Sequence, residues 1–306
     1  MPWSLLMLYY ELKPIIPRSL QVGLRRWIAR RKIARCAASW PVCESGGKRP
    51  EVAFRWPDNK RFALVLTHDV ESVAGVGRCR DLVDLEEGLG FRSSFFFVPE
   101  LYKIPEKLFE FLRQKGLEIG VHGLHHDGKL YKSYHIFKER SVRINQYLQD
   151  WGAVGFRSPS MHHNLDWLHM LDIEYDSSAF DTDPFEPQSD GIGSIFPLWI
   201  DDDHGRGYIE LPCTLPQDFT LFVVIQQSAN VWFRKVDWIA EHGGMVLVLT
   251  HPDYMCFDET KPGRYEYPAT RYEQLLAYIR DKYKGQYWSA LARDVASFWR
   301  TVAKVH

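Results

Sequence analysis

Residues 62–66 read Phe-Ala-Leu-Val-Leu, and the chain runs on without a break into Thr67, His68, Asp69, Val70 and Glu71. Five apolar residues in succession, with no polar alternation, read as a strand buried on both faces. Such strands belong to parallel sheets covered by helices, and in those folds ligands bind at the carboxyl ends of the strands. The ionisable residues that close this run therefore fall where chemistry is expected. Strand side chains alternate with a period of two, so Asp69 and Glu71 are expected to point the same way. Two carboxylates aimed at one point repel unless a cation or a shared proton lies between them, which makes a metal the first reading. The alternative is an ordinary loop with surface acids.

The rest of the chain repeats this pattern. Apolar runs at 93–98, 117–121, 154–156, 173–175, 207–211 and 245–249 alternate with helical spacing at 78–90, 105–115, 134–150, 165–171 and 229–242. Two further helices are predicted at 269–284 and 288–300. Residues 178–206, rich in Asp, Pro, Gly and Ser, read as an insertion. Seven strand–helix repeats with polar residues at the strand ends predict an α/β fold, a distorted (β/α)7 barrel. An open doubly wound sheet is the runner-up, lowered by the lack of a glycine-rich dinucleotide or phosphate loop after any strand.

Ahead of this domain, assigned to residues 51–306, lies a leader of residues 1–50. Residues 1–10 are apolar, but no basic residue precedes them, and Glu11 and Lys13 end the run, so a secretion signal is not expected. Residues 12–43 carry eight Lys or Arg and no acid, with Leu20, Leu24, Trp27 and Ile28 at helical spacing between them. A basic amphipathic helix of this kind suits the surface of an anionic membrane. The alternative is a helix packed on the barrel with a solvated basic face. The expected location is cytoplasmic, on the inner face of the membrane. A net charge of −1 argues against a nucleic-acid partner. Five cysteines, odd in number and scattered, have neither zinc-finger nor redox spacing and read as reduced thiols.

Residues 121–127, Val-His-Gly-Leu-His-His-Asp, follow the third strand. His122 and His126, four apart, would face one way on a helical turn and could bind one metal together; His125 is the alternative to His126. A carboxylate with two imidazoles suits a divalent metal, zinc first. Asp127 is a candidate to orient one of the imidazoles. Arg157 ends the fourth strand and is a candidate partner for Asp69. His251 ends the seventh.

Thr67-His68-Asp69, His122 with His126, Arg157-Ser158-Pro159 and Thr250-His251 thus fall in order at successive strand ends. In this the chain, over residues 60–255, resembles the polysaccharide deacetylase family (carbohydrate esterase family 4). The resemblance implies a distorted barrel and metal-dependent removal of an acetyl group from an N-acetylated sugar. It makes Asp69 the base, His122 and His126 metal ligands, Arg157 the tether of the base and His251 the general acid. The family's first motif has two adjacent aspartates; here the second position is Val70, and Glu71 is the nearest replacement. Ser160 stands where the family often has tyrosine, and its backbone N–H would share the oxyanion. The expected substrate is an N-acetylated sugar, lipid-linked or nucleotide-linked, used in surface polysaccharide or glycoconjugate assembly, with 178–206 and 211–218 as its walls. The rival readings are hydrolysis of another C–N bond, such as a cyclic amide, and a catalytically dead sugar- or partner-binding scaffold.

Overall fold

The computed structural model describes residues 15–36, 40–186, 188, 191–202, 205–258 and 262–303. Residues 1–14 of the leader and parts of the expected insertion therefore lie outside the described residues. A long helix, α1 (Arg18–Cys36), comes first, and the apolar run then forms β1 (Phe62–Val70), buried along its whole length. There follow α2 (Val73–Leu89), β2 (Ser94–Phe97), α3 (Glu106–Gln114), β3 (Glu118–His122), α4 (Tyr134–Trp151) and β4 (Gly155–Arg157). A short α5 (Leu165–Leu168) leads to β5 (Tyr175–Asp176), β6 (Leu198–Asp201) and β7 (Gly207–Glu210). The chain ends through α6 (Asn230–His242), β8 (Met245–Thr250), β9 (Met255–Cys256), β10 (Tyr267–Pro268), α7 (Thr270–Lys282), β11 (Tyr287–Ala290) and α8 (Ala292–Ala303).

Nine of the strands curl into one sheet, and β9 and β10 pair with each other apart from it. Its parallel staves run β8, β1, β2, β3, β4, β5 and β7, and β6 adds an antiparallel edge to β7. Among the described residues no full ladder closes the ring. The chain after β7 reaches β8 instead: Thr214 and Leu215 donate backbone N–H groups to the Leu247 carbonyl at 3.3 Å each, and the Leu247 N–H donates to Thr214 Oγ1 at 2.8 Å. This is the distorted barrel that the repeat pattern predicts.

Three details differ from the sequence reading. The helix expected at 288–300 begins at Ala292, because Tyr287–Ala290 pairs in parallel with the first half of β1. The span 178–206 contains β6, which forms a hairpin with β7. The helix expected at 78–90 begins at Val73, where Ser72 Oγ accepts the Gly75 N–H at 3.3 Å and caps the first turn.

Inside the barrel, large side chains fit because glycine sits opposite them. A Cβ on Gly120 would lie 2.5 Å from the Phe96 ring, and one on Gly155 would lie 2.1 Å from the Tyr175 ring and hydroxyl. Tyr175 donates to Glu118 Oε1 at 2.8 Å and so plugs the barrel below the strand ends. Gly155→Ala should therefore cost about 1–3 kcal/mol through overpacking. The reading is the midpoint of urea unfolding; an unchanged midpoint would show that Tyr175 is not held against this strand.

Candidate active site

Period-two alternation sorts the end of β1 into two faces. His68 points out of the barrel, where its ring nitrogens meet Thr250 Oγ1 at 2.7 Å and Glu86 Oε1 at 2.8 Å. Thr67 and Asp69 point in. The wholly buried Arg157 from β4 meets both, with Nη1 at 2.9 Å from Thr67 Oγ1 and 3.0 Å from Asp69 Oδ1. Its Nε donates to the Ser177 carbonyl and its Nη2 to Ser177 Oγ, each at 2.8 Å. Burial, the largest single influence, lowers the guanidinium's pKa, but the charge and hydrogen bond of Asp69 together with the nearby Cys213 and Tyr175 outweigh it and the net shift is upward.

Glu71 lies just past the strand and reaches the same space. Its Oε1 is 2.8 Å from His126 Nε2, 3.8 Å from His122 Nε2 and 3.7 Å from His251 Nε2. Tyr254 donates to Glu71 Oε2 at 3.1 Å, and Asp253 accepts the Glu71 N–H at 2.9 Å. Burial works to raise the Glu71 pKa, yet the charges of His126 and His251 and the nearness of the His122 and His126 imidazoles hold it well below the usual carboxylate range.

His122 and His126 do meet, with ring centroids 5.5 Å apart, but not across a helical turn as the spacing suggested. His122 ends a strand. Gly123 then takes a left-handed φ of +64°, and a Cβ there would strike Pro159 at 2.4 Å, so the chain turns sharply and carries His126 back over the strand end. His125 turns instead toward Glu100, with Nε2 3.5 Å from Oε2. The expectation for Asp127 is corrected. It forms a two-pronged pair with Arg140 at 2.9 and 2.7 Å, and the Arg157 carbonyl, 3.0 Å from Nδ1, is what orients His122.

The chemistry of this set fits a metal. One ligand atom each from Glu71, His122 and His126 lies within 4.8 Å of the others, the one such group among the described residues. The buried Nε2 of His122 makes no hydrogen bond and faces acceptors only at 3.7 and 3.8 Å. Ligands bound to zinc at about 2.0–2.2 Å stand a little over 3 Å apart in a tetrahedron, close to this spacing. Glu71 rather than Asp69 is the carboxylate of the group.

His251 follows β8, and its Nδ1 is 2.7 Å from Asp218 Oδ1. Asp218 Oδ2 accepts the His251 N–H at 2.8 Å and the Tyr267 hydroxyl at 2.7 Å. Burial would lower the imidazole's pKa, but the Asp218 and Glu71 charges raise it to about 10. The role of Asp218 was not read from the sequence, where it lies 33 residues from its partner. The available signal was an acid shortly after the sixth apolar run, at the same barrel end. Ser160, with φ +59°, lines the same cavity as Asp69, Glu71, His126 and His251, a space of about 1240 Å³. The inner face of α1 forms one wall of it through residues such as Val22, Arg25 and Ala29.

No family model matches the sequence, and no curated protein matches it. Solved structures do. A candidate polysaccharide deacetylase from Mycobacterium smegmatis superposes with TM-score 0.63 at 19% identity, covering 83% of this chain and 95% of that one. The chain has the polysaccharide deacetylase fold. A candidate polysaccharide deacetylase from Pseudomonas aeruginosa PAO1 gives 0.60 at 17%, and a PuuE allantoinase gives 0.60 at 16%; each covers 86% of this chain and 98% of the other.

In the metal-free protein the His251 imidazole should titrate near pH 10, and Asp218→Asn should bring it down toward the ordinary value of about 6.5. A raised histidine pKa adds stability that is complete below about pH 6.5 and lost as pH rises through about 10. The variant's loss of stability should accordingly be larger at neutral pH than at pH 10.5 and above. Imidazole NMR titration and unfolding at the two pH values read both effects; an unshifted imidazole in the variant would remove Asp218 from this role.

Proposed function

We propose that the chain is a metal-dependent hydrolase that removes an N-acetyl group from an amino sugar used in surface glycan assembly. The observation that carries this reading is that Asp69, Glu71, His126 and His251 line one cavity, each as a member of a set of interacting residues. The sets are the tethered carboxylate Asp69 with Arg157, the ligand set Glu71, His122 and His126, and the charged imidazole His251 with Asp218. A divalent metal held by Glu71, His122 and His126, zinc first among the choices, would acidify water and polarise the acetyl carbonyl.

The protein's own groups do the rest. Asp69, fixed by Arg157 and lying 3.7 Å from His122, accepts the proton of the attacking water. The backbone N–H of Ser160 donates to the oxygen on which negative charge develops. His251, held at Nδ1 by Asp218 and lining the cavity, gives its proton to the departing sugar nitrogen. A second reading, hydrolysis of another C–N bond such as a cyclic amide, draws support from the allantoinase among the structural neighbours. A dead scaffold is disfavoured: Val70 is wholly buried and ligates nothing, but Glu71 completes a ligand set without it.

Metal analysis of the purified protein should give about one divalent ion per chain, lost in Glu71→Ala and in His122→Ala and kept in His125→Ala. A wild-type protein that takes up no metal would end the hydrolase reading. Asp69→Asn should keep its metal and lose about 10²- to 10⁴-fold in acetate release from an N-acetylhexosamine oligomer. Release at near wild-type rates would show that another group is the base. Turnover of cyclic amides but not of N-acetyl sugars would favour the second reading.

A further inference from the structure

Helix α1 carries two unlike faces. Its inner face packs on the barrel: Arg26 donates to the Val223 carbonyl at 3.1 and 3.0 Å, Lys32 to the Pro184 carbonyl at 2.6 Å, and Val22 and Ala29 are buried. Arg18 lies over the rings of Tyr254 and Tyr265. The outer face consists of Leu20, Gly23, Leu24, Trp27, Arg30, Arg31, Ala34 and Arg35, all exposed and all at the spacing of a single helical stripe. Its first half is apolar and its second half is cationic.

This stripe is unlike the rest of the surface. Among the described residues, Ile15, Leu20, Leu24 and Trp27 are half of the large apolar side chains that stand exposed, at 77, 63, 49 and 52%. Exposed apolar side chains grouped in this way mark an interaction surface. No acid occurs from residue 12 to residue 43, so nothing on the helix offsets Arg30, Arg31 and Arg35. The Arg31 guanidinium lies 3.7 Å from the centre of the Trp27 ring, joining the two halves. The sequence just ahead adds Trp3, Leu5, Leu6, Met7 and Leu8. No helix among the described residues is long and apolar enough to cross a membrane.

We propose that the outer face of α1 docks the protein on an anionic lipid surface. Leu20, Leu24 and Trp27 enter the headgroup boundary, and Arg30, Arg31 and Arg35 pair with lipid phosphates. Charge decides for lipid over a second copy of the chain: two such stripes would bring like charges together if paired parallel, and would bury Arg30, Arg31 and Arg35 against apolar side chains if paired antiparallel. Ile15 and Leu24 belong both to the exposed set and to the cavity wall, so the docked face and the cavity mouth share residues. Docked in this way, the mouth opens at headgroup level, where a sugar carried on a lipid phosphate is presented. The docking surface stands apart from the reaction proposed above.

The experiment is co-sedimentation of the full chain with vesicles of phosphatidylglycerol and phosphatidylcholine, beside vesicles of phosphatidylcholine alone. Binding should be confined to the anionic vesicles and should weaken as salt rises. Arg30→Gln, Arg31→Gln and Arg35→Gln together should weaken it about a hundredfold, at roughly fivefold per charge. Leu20→Glu with Trp27→Glu should abolish it. Circular dichroism and thermal unfolding of each variant confirm that the fold is kept. Asp69→Asn should bind vesicles like wild type, so that failure of the docking surface and failure of the reaction are told apart. Equal binding to neutral vesicles, no binding to either, or a wild-type dimer that Leu20→Glu with Trp27→Glu converts to a monomer would each overturn the proposal.

Discussion

A buried guanidinium holds this barrel's working end together. Arg157 is cut off from solvent, and it costs several kcal/mol to bring such a charge out of water. That cost is offset only because its donors meet acceptors on two separate segments, while its face lies 4.5 Å from the Phe96 ring on a third. Thr67 and Asp69 come from β1, Ser177 follows β5, and Phe96 belongs to β2. The same residue's carbonyl fixes the ring of His122. One residue thus sets the spacing of β1, β2, β4 and β5 through its side chain, and the attitude of a candidate base through its guanidinium and of a candidate ligand through its carbonyl. Removing one member of such a pair leaves the other charge buried and unpaired, typically at about 3–5 kcal/mol.

Histidines of identical chemistry take different roles here because their surroundings differ. His68 and His122 both sit at strand ends and both are wholly buried. His68 falls on the outward beat of β1, and Glu86 and Thr250 engage both of its ring nitrogens, so it fastens β1 to α2 and to the neighbouring strand β8. His122 falls on the inward beat of β3, with one nitrogen engaged by a carbonyl and the other turned to two carboxylates. His251 leans on Asp218 and carries a proton to high pH.

The parallel staves and the residues at their ends were legible because both follow from local rules. An apolar run with no alternation means a strand buried on two faces, and the residue that ends it lies at the barrel rim where the candidate site forms. That logic reached Asp69, Glu71, His122, Arg157 and His251, and the structure brings them together. It did not reach relations that depend on folding. Asp218 and Tyr254 act on residues 33 and 183 positions away, and no spacing rule spans such distances. Asp127 was misread because a neighbour in sequence was taken for a neighbour in space, and Arg140 claims it. The helical turn expected at His122 failed because Gly123 allows a left-handed bend that sequence periodicity does not register. Strand β11 was read as helix because the evidence for it is its partner, the first half of β1.

The separation of Asp69 from Glu71 follows from the clamps on each. Asp69 has one oxygen committed to Arg157 at 3.0 Å, and its other oxygen approaches His122 Nε2 only to 3.7 Å. A carboxylate tied in this way is better placed to take a proton than to share a metal. Glu71 has no such tether inside the barrel. Its backbone N–H is held by Asp253, its Oε2 accepts from Tyr254, and its Oε1 is left to face His122, His126 and His251. Glutamate is one methylene longer than aspartate, and here it stands one position further along the chain than the Val70 it works around. The added reach offsets the added distance. The inward beat shared by residues 69 and 71 keeps both carboxylates in one cavity, so the candidate ligand group forms without an aspartate at position 70.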